Sequence, residues 1–246
     1  RAIEDRLVAT CREAGVRLIG PNCLGVINPL PAVRLNASFS ARMPKAGNVS
    51  FIPQSGALCT AVLDFAADRN FGFSKFISIG NKADVDELDL LRYLHRDHDT
   101  EVILIYVEEL RRGAEFIEAV KEITCGDYRP KPVLVIKSGR TSAGALAAAS
   151  HTGSLAGSEA VYDAIFKQSG IIRVQAIDEL FDFAIAFAYK NENAMGKMRR
   201  KVPAGNRVAI VTNAGGPGIV ATDMTMFSGL QLAKFKDETI ETLASH

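Results

Sequence analysis

The sequence has no surplus of charge of either sign: 29 basic residues stand against 28 acidic ones in a chain of 246. That balance argues against a nucleic-acid or anionic-membrane partner, since both are held through a basic surface. Long apolar runs are missing too. The longest strongly apolar stretch, Val102 to Val107, falls far short of the ~20 residues that span a bilayer. No signal-peptide pattern opens the chain, and it starts at Arg1 rather than Met, which reads as a processed or excised piece. The four cysteines (Cys11, Cys23, Cys59, Cys125) form no C-x-x-C pair, and each lies in or beside an apolar pattern. Buried free thiols in a reducing cytoplasm are expected, rather than disulfides or zinc. There is no G-x-x-x-x-G-K-[ST], hence no P-loop. Ser55 lacks the flanking glycines of a nucleophile elbow. His95 and His98, near Asp97 and Asp99, sit at a charged helix end and read as a solvated cap rather than a metal site.

What is present is a core-forming composition, 48% hydrophobic, in a length that suits one large or two ordinary domains. Residues 3–14 read as an amphipathic helix with Ile3, Leu7, Val8, Cys11 and Ala14 on one face. Short strands are expected at Val16 to Ile19 and Leu24 to Ile27, and an irregular linker marked by Pro29, Pro31 and Pro44 over 29–46. A regular alternation follows. Strands are expected at Val49 to Ile52, Phe73 to Ile79, Val102 to Val107, Val133 to Ile136 and Ile171 to Val174. The helices between and after them are Ala57 to Arg69, Val85 to His95, Ala114 to Thr124, Glu159 to Ser169 and Asp178 to Tyr189. Continuous apolar strands alternating with helices mean a parallel sheet covered on both faces, so the expected fold is α/β, flavodoxin-like or Rossmann-like, over 47–190. Residues 191–205, with the basic run Lys197 to Lys201, read as a solvated linker. A second α/β unit opens at 206–246, with strands at Val208 to Thr212 and Leu230 to Phe235, a helix from Ile219 to Phe227, and Asp237 capping a last helix.

Four features bear on chemistry. Ser150-His151-Thr152-Gly153-Ser154 closes a run of small residues from Lys137 to Gly157. Such a run tolerates tight backbone and close approach to a ligand, and imidazole titrates near neutral pH, so His151 is a candidate nucleophile that carries a phosphoryl group. The bland alternative is a surface loop with one capping ring. Pro53-Gln54-Ser55-Gly56 lies between a strand and a helix at the carboxyl edge of the sheet, where free helix amides make an anion site; an ordinary Ser N-cap explains it equally well. Asn213 to Gly218 repeats that layout and contains a weak dinucleotide fingerprint (Gly216, Gly218, Ala221), but Lys234 stands where an acidic residue would be wanted for NAD. Glu108 and Glu109 end the strand from Val102, where a carboxylate could fix an imidazole tautomer or simply face solvent.

Asn48 to Leu58, Ile79 to Glu87, Lys137 to Thr141 and Ser150 to Gly157 together resemble the ADP-forming acyl-CoA synthetase branch of the succinyl-CoA synthetase superfamily, along essentially the whole chain. The resemblance implies that 1–28 is the end of a CoA-binding domain, that 47–190 is the first flavodoxin-like ligase domain and that 206–246 opens the second. An ATP-grasp domain or subunit would supply the nucleotide site, in a homo- or hetero-oligomer. The implied reaction converts acyl-CoA, phosphate and ADP into acid, CoA and ATP, with Mg²⁺ arriving only with the nucleotide. His151 matches the phosphorylated histidine and Glu108 the residue that orients it, while Glu109 stands where many relatives have glycine. Gln54, Ser55, Gly56 and Ala57 on one helix, and Gly215, Gly216 and Gly218 on another, match the phosphate-binding turns. Asn22, Asn81 and Lys82 are expected to contact CoA. Similar modules fused to protein lysine acetyltransferases suggest a second reading, a regulatory module that senses CoA or acyl-CoA.

Overall fold

The computed structural model describes residues 2–69, 71–141, 144, 158–188 and 205–245; His151 lies outside them. The chain divides into two compact units, Arg1–Tyr189 and Lys190–His246. In the first, β3 (Lys45–Pro53), β4 (Gly72–Ile77), β5 (Val102–Val107), β6 (Val133–Lys137) and β7 (Ile172–Val174) run parallel. Their spatial order is β4-β3-β5-β6-β7, which is the flavodoxin-like 2-1-3-4-5 order. The chain reverses direction across the sheet between β3 and β5, so a switch point lies where Pro53 pairs with Tyr106.

Along β5 the side chains alternate between two cores, as a two-residue period requires. On one face Leu104 joins Phe51, Phe73 and Phe76 under α2 (Gly56–Asp68) and α6 (Ile177–Ala188), which contribute Cys59, Val62, Leu180 and Phe181. On the other, Ile103 and Ile105 meet α3 (Glu87–Arg96), α4 (Gly113–Cys125) and α5 (Glu159–Gln168) through Leu91, Leu94, Phe116, Val120 and Phe166. Phe71, Phe73, Phe76 and Phe51 stack edge to face in a chain, with ring centroids 5.2–5.5 Å apart. Each such pair adds roughly 0.5–1.5 kcal/mol beyond area burial. Helix α3 starts on a capping box: Asp86 accepts from the N–H groups of Leu88 and Asp89, and the Asp89 carboxylate accepts from the Asp86 N–H at 3.3 Å. Its acidic first turn and basic last turn complement the helix dipole.

The N-terminal region departs from expectation. Val16 to Ile19 forms no strand. Its backbone instead bonds an irregular loop, Val85 N–H to Leu18 O at 3.1 Å and Ala83 N–H to Gly20 O at 2.9 Å, and that loop bends at Gly80 and Lys82, both at positive φ. The stretch expected as linker over 29–46 contains β2 (Leu35–Ser38), which pairs antiparallel with β1 (Gly25–Asn28); β1 in turn pairs antiparallel with β4. The hairpin extends the sheet to seven strands. Helix α1 (Ala2–Glu13) buries none of its residues, leaving Ile3 83% exposed. Of the four thiols only Cys59 is buried; Cys11 and Cys23 are half-buried and Cys125 is exposed.

In the second unit β8 (Arg207–Val208) pairs parallel with β9 (Gln231–Leu232) around α7 (Gly215–Phe227), followed by α8 (Asp237–Ala244). Both strands are shorter than their apolar runs, since among the described residues each has only the other to pair with. No described helix is long and apolar enough to cross a membrane.

Candidate functional site

The carboxyl edge of the first unit opens into a cleft of about 1580 Å³. The Gln54–Ala57 turn forms one wall, Asn22 and Asn81 another, and Glu108, Glu109 and Arg111 a third; Glu4, Val8 and Arg12 of α1 line it too. The close fit of two loops explains one glycine. A Cβ on Gly80, at φ +50, would stand 2.3 Å from the Pro21 carbonyl oxygen. That contact brings Asn81 beside Asn22, whose Nδ2 donates to Asn81 Oδ1 at 3.3 Å.

Ser55 adopts an extended N-cap conformation at the start of α2, but its side chain caps nothing. The ordinary N-cap reading of Ser55 therefore does not hold. No acidic residue occupies the first turn, so the positive end of the dipole faces the cleft without an internal counter-charge. Gly56 is not demanded by crowding: a Cβ there would meet only Leu24 N at 3.6 Å and Cys23 C at 3.9 Å. In the second unit Gly215, Gly216 and Gly218 form the first turn of α7, again with no side-chain cap. Among the described residues, beyond the helix's own backbone and the chain neighbours, nothing lies within 4 Å of a Cβ built on Gly215 or Gly216.

The two carboxylates after β5 are not equivalent. Glu109 Oε1 accepts from Arg111 Nε at 2.9 Å. The half-buried Glu108 carboxylate has no hydrogen bond or ion pair among the described residues, although its charge reaches the Lys137 ammonium. The backbone around them is clamped. Gln54 Oε1 accepts from the N–H groups of Glu108 at 2.8 Å and Glu109 at 3.2 Å. Leu110 N–H donates to the Tyr162 hydroxyl at 3.2 Å.

Lys82, expected at the cofactor, commits its side chain inside the protein. Its side chain is fully buried, and Nζ donates to both carboxylate oxygens of Glu87, at 3.1 and 3.0 Å, and to the Glu109 carbonyl at 2.6 Å. All three donors are spent inside the protein. Burial pushes the Glu87 carboxyl above its usual range, with Lys82 pulling against it. Gln54 likewise spends its side-chain carbonyl on backbone, and its own N–H donates to Tyr106 O at 3.1 Å. Sequence reasoning missed both roles.

Arg140 and Glu159 pair through their side chains at 2.9 Å. Arg173 holds Glu159 from β7 at 2.5 Å. Lys137, at the end of β6, lies buried with Nζ 4.6 Å from the Tyr162 ring centroid; burial lowers its pKa and Glu159 opposes the shift. His95 is not a solvated cap. It is buried, and its Nε2 sits 2.8 Å from the Tyr128 carbonyl oxygen. Among the described residues no group of three His, Cys, Asp or Glu side chains could hold a metal.

The parallel sheet, covered on both faces, thus places at its switch point a helix terminus without a side-chain cap and a Glu108 carboxylate that bonds none of the described residues, at the edge where α/β folds of this type bind ligands. Residues 46–187 match the succinyl-CoA ligase like flavodoxin domain, and the chain belongs to that family. It is 46% identical over 98% of its length to ADP-forming acetate–CoA ligase I of Archaeoglobus fulgidus, covering 33% of that protein. It is 44% identical over 98% of its length to the alpha subunit of ADP-forming acetate–CoA ligase II of Pyrococcus furiosus, covering 49% of it. The dinucleotide-forming acetyl-coenzyme A synthetase 1 of Ca. Korarchaeum cryptofilum, solved in complex with phosphate and ADP, superposes with a TM-score of 0.85 at 40% identity, over 98% of this chain and 49% of that one. The chain thus spans a third to a half of the length of these relatives.

Proposed function

We propose that this chain is the ligase core of an ADP-forming acyl-CoA synthetase. Phosphate attacks the thioester carbonyl of acyl-CoA and releases CoA as its thiol, leaving an acyl phosphate. The His151 imidazole then takes the phosphoryl group, releasing the carboxylic acid, and passes it to ADP. The observation that carries this reading is the Glu108 carboxylate at the switch point, which bonds none of the described residues and lines, with the uncapped N-terminus of α2, a cleft of about 1580 Å³. That cleft exceeds the ~300–1,000 Å³ of ordinary small-molecule sites, and suits a substrate as large as acyl-CoA against the amides of Asn22 and Asn81. The free amides of Gly56 and Ala57 would hold phosphate there. Glu108 would accept from one ring nitrogen of His151, leaving the other as nucleophile. Gly215, Gly216 and Gly218 would offer a second phosphate-binding helix terminus.

In this reading residues 1–28 end a CoA-binding domain and 206–246 open a second ligase domain. An ATP-grasp domain or partner subunit brings ADP with Mg²⁺, in an oligomeric cytoplasmic enzyme. The alpha-subunit relative is consistent with a separate partner. The relatives named above are ligases, and they lend the regulatory-module alternative no support. The test is CoA release from acetyl-CoA by the full-length protein with its nucleotide-binding partner, followed with a thiol reagent. The reading expects continued release, beyond one equivalent per enzyme, that requires both phosphate and ADP and is lost in His151→Ala. Release without phosphate would overturn it.

A further inference from the structure

The Glu108–Glu109 backbone is held from two sides by side chains. Parallel pairing between β3 and β5 ends at Pro53 and Tyr106. Beyond it, the N–H groups of Glu108 and Glu109 have no strand to bond. Gln54 Oε1 takes both, at 2.8 and 3.2 Å. From the other side Lys82 Nζ, itself held by the buried Glu87, takes the Glu109 carbonyl at 2.6 Å. Among the described residues no side chain bonds the Glu108 carboxylate, so the contacts that hold its backbone set where it points.

We propose that Gln54 and the buried Lys82–Glu87 pair are positioning residues for Glu108, acting on the reaction only through that carboxylate. Gln54 is then no phosphate ligand and Lys82 no contact of CoA. The proposal rests on the reading of Glu108 as the partner of His151.

The test is a double-mutant cycle on the full-length protein with its nucleotide-binding partner. It reads the single-turnover rate of phosphoryl transfer from terminally labelled ATP to His151, and the KM for phosphate in the steady state. Gln54→Met keeps the length and removes the acceptor. Lys82→Met/Glu87→Gln removes both buried charges together, so neither is stranded. Each should slow transfer by roughly 10–100-fold, the cost of a misplacement near 1 Å, with the phosphate KM unchanged. In a Glu108→Gln background each should add less than about twofold, since residues acting through one group are not additive. Full additivity with Glu108→Gln, or a phosphate KM that rises in Gln54→Met, would overturn the positioning role while leaving the assignment of Glu108 standing. A Glu108→Gln variant as fast as wild type would overturn that assignment, and the positioning role with it.

Discussion

Replacing Lys82 by methionine removes one charge of a buried pair and strands the other. The Lys82 side chain is 0% exposed and that of Glu87 5%, so no water can take over the solvation of the carboxylate. Breaking a buried pair from one side costs about 3–5 kcal/mol, whereas removing both charges is often nearly neutral. Lys82→Met should therefore lose about 3–5 kcal/mol, and Lys82→Met/Glu87→Gln should return to within about 2 kcal/mol of wild type, the remainder being the lost bond to the Glu109 carbonyl. The pH dependence has a definite sign. Burial already holds the folded-state pKa of Glu87 above its unfolded value. A raised carboxyl contributes stability below its unfolded pKa and loses it as pH rises through the folded value. Without Lys82 the folded value rises further, so the deficit of Lys82→Met is largest at neutral pH and shrinks as pH falls toward 5. Urea unfolding of the full-length protein, followed by far-ultraviolet circular dichroism, compares the two variants with wild type. A single variant within 1 kcal/mol of wild type at pH 7.5, or a deficit independent of pH, would refute the reasoning.

Three further outcomes are expected. Ser55→Asp supplies the cap that the serine side chain does not make; it should stabilise α2 by up to about 1 kcal/mol, yet raise the phosphate KM about tenfold or more by placing a carboxylate at the anion site, and an unchanged KM would remove phosphate from that helix. Gly80→Ala puts a Cβ 2.3 Å from the Pro21 carbonyl oxygen at φ +50; the left-handed backbone alone costs about 1–2 kcal/mol, so a loss of at least 2 kcal/mol in denaturant unfolding is expected, and a neutral substitution would mean the two loops do not meet as described. The Cys59 thiol, pushed up to about 11 by burial, should resist alkylation at pH 8 while exposed Cys125 reacts within minutes, as peptide mapping would show; equal labelling would contradict the packing under α2.

The layered sheet was legible because its strands are unbroken aliphatic runs. Val102 to Val107 is bounded as its residues suggest, and the turns before α2 and after β5 reach one edge because parallel strands alternate with helices. The hairpin of β1 and β2 was hidden. Pro29 and Pro31 look like linker punctuation, and the antiparallel partner of β1 lies some fifty residues downstream at Phe76 and Ile77. The site was half legible. Glu108 and Ser55 follow from position, since a strand end and a helix start at the carboxyl edge must face the same cleft. The bonds of Lys82 and Gln54 were not legible, because a polar residue beside a glycine turn does not announce partners after a later strand, at Glu109 and Glu108. One local signal for Lys82 was present: an acidic residue five positions on, in the first turn of a helix that closes back over it.

The central claim is that His151 carries a phosphoryl group. The most direct measurement incubates the full-length protein and its nucleotide-binding partner with Mg²⁺ and ATP labelled at the terminal phosphate, beside His151→Ala, and scores acid-labile, base-stable label on this chain. The account predicts label on the wild type that vanishes in His151→Ala and is chased off by ADP. Label that survives the substitution, or none on a folded, nucleotide-binding wild type, would contradict it.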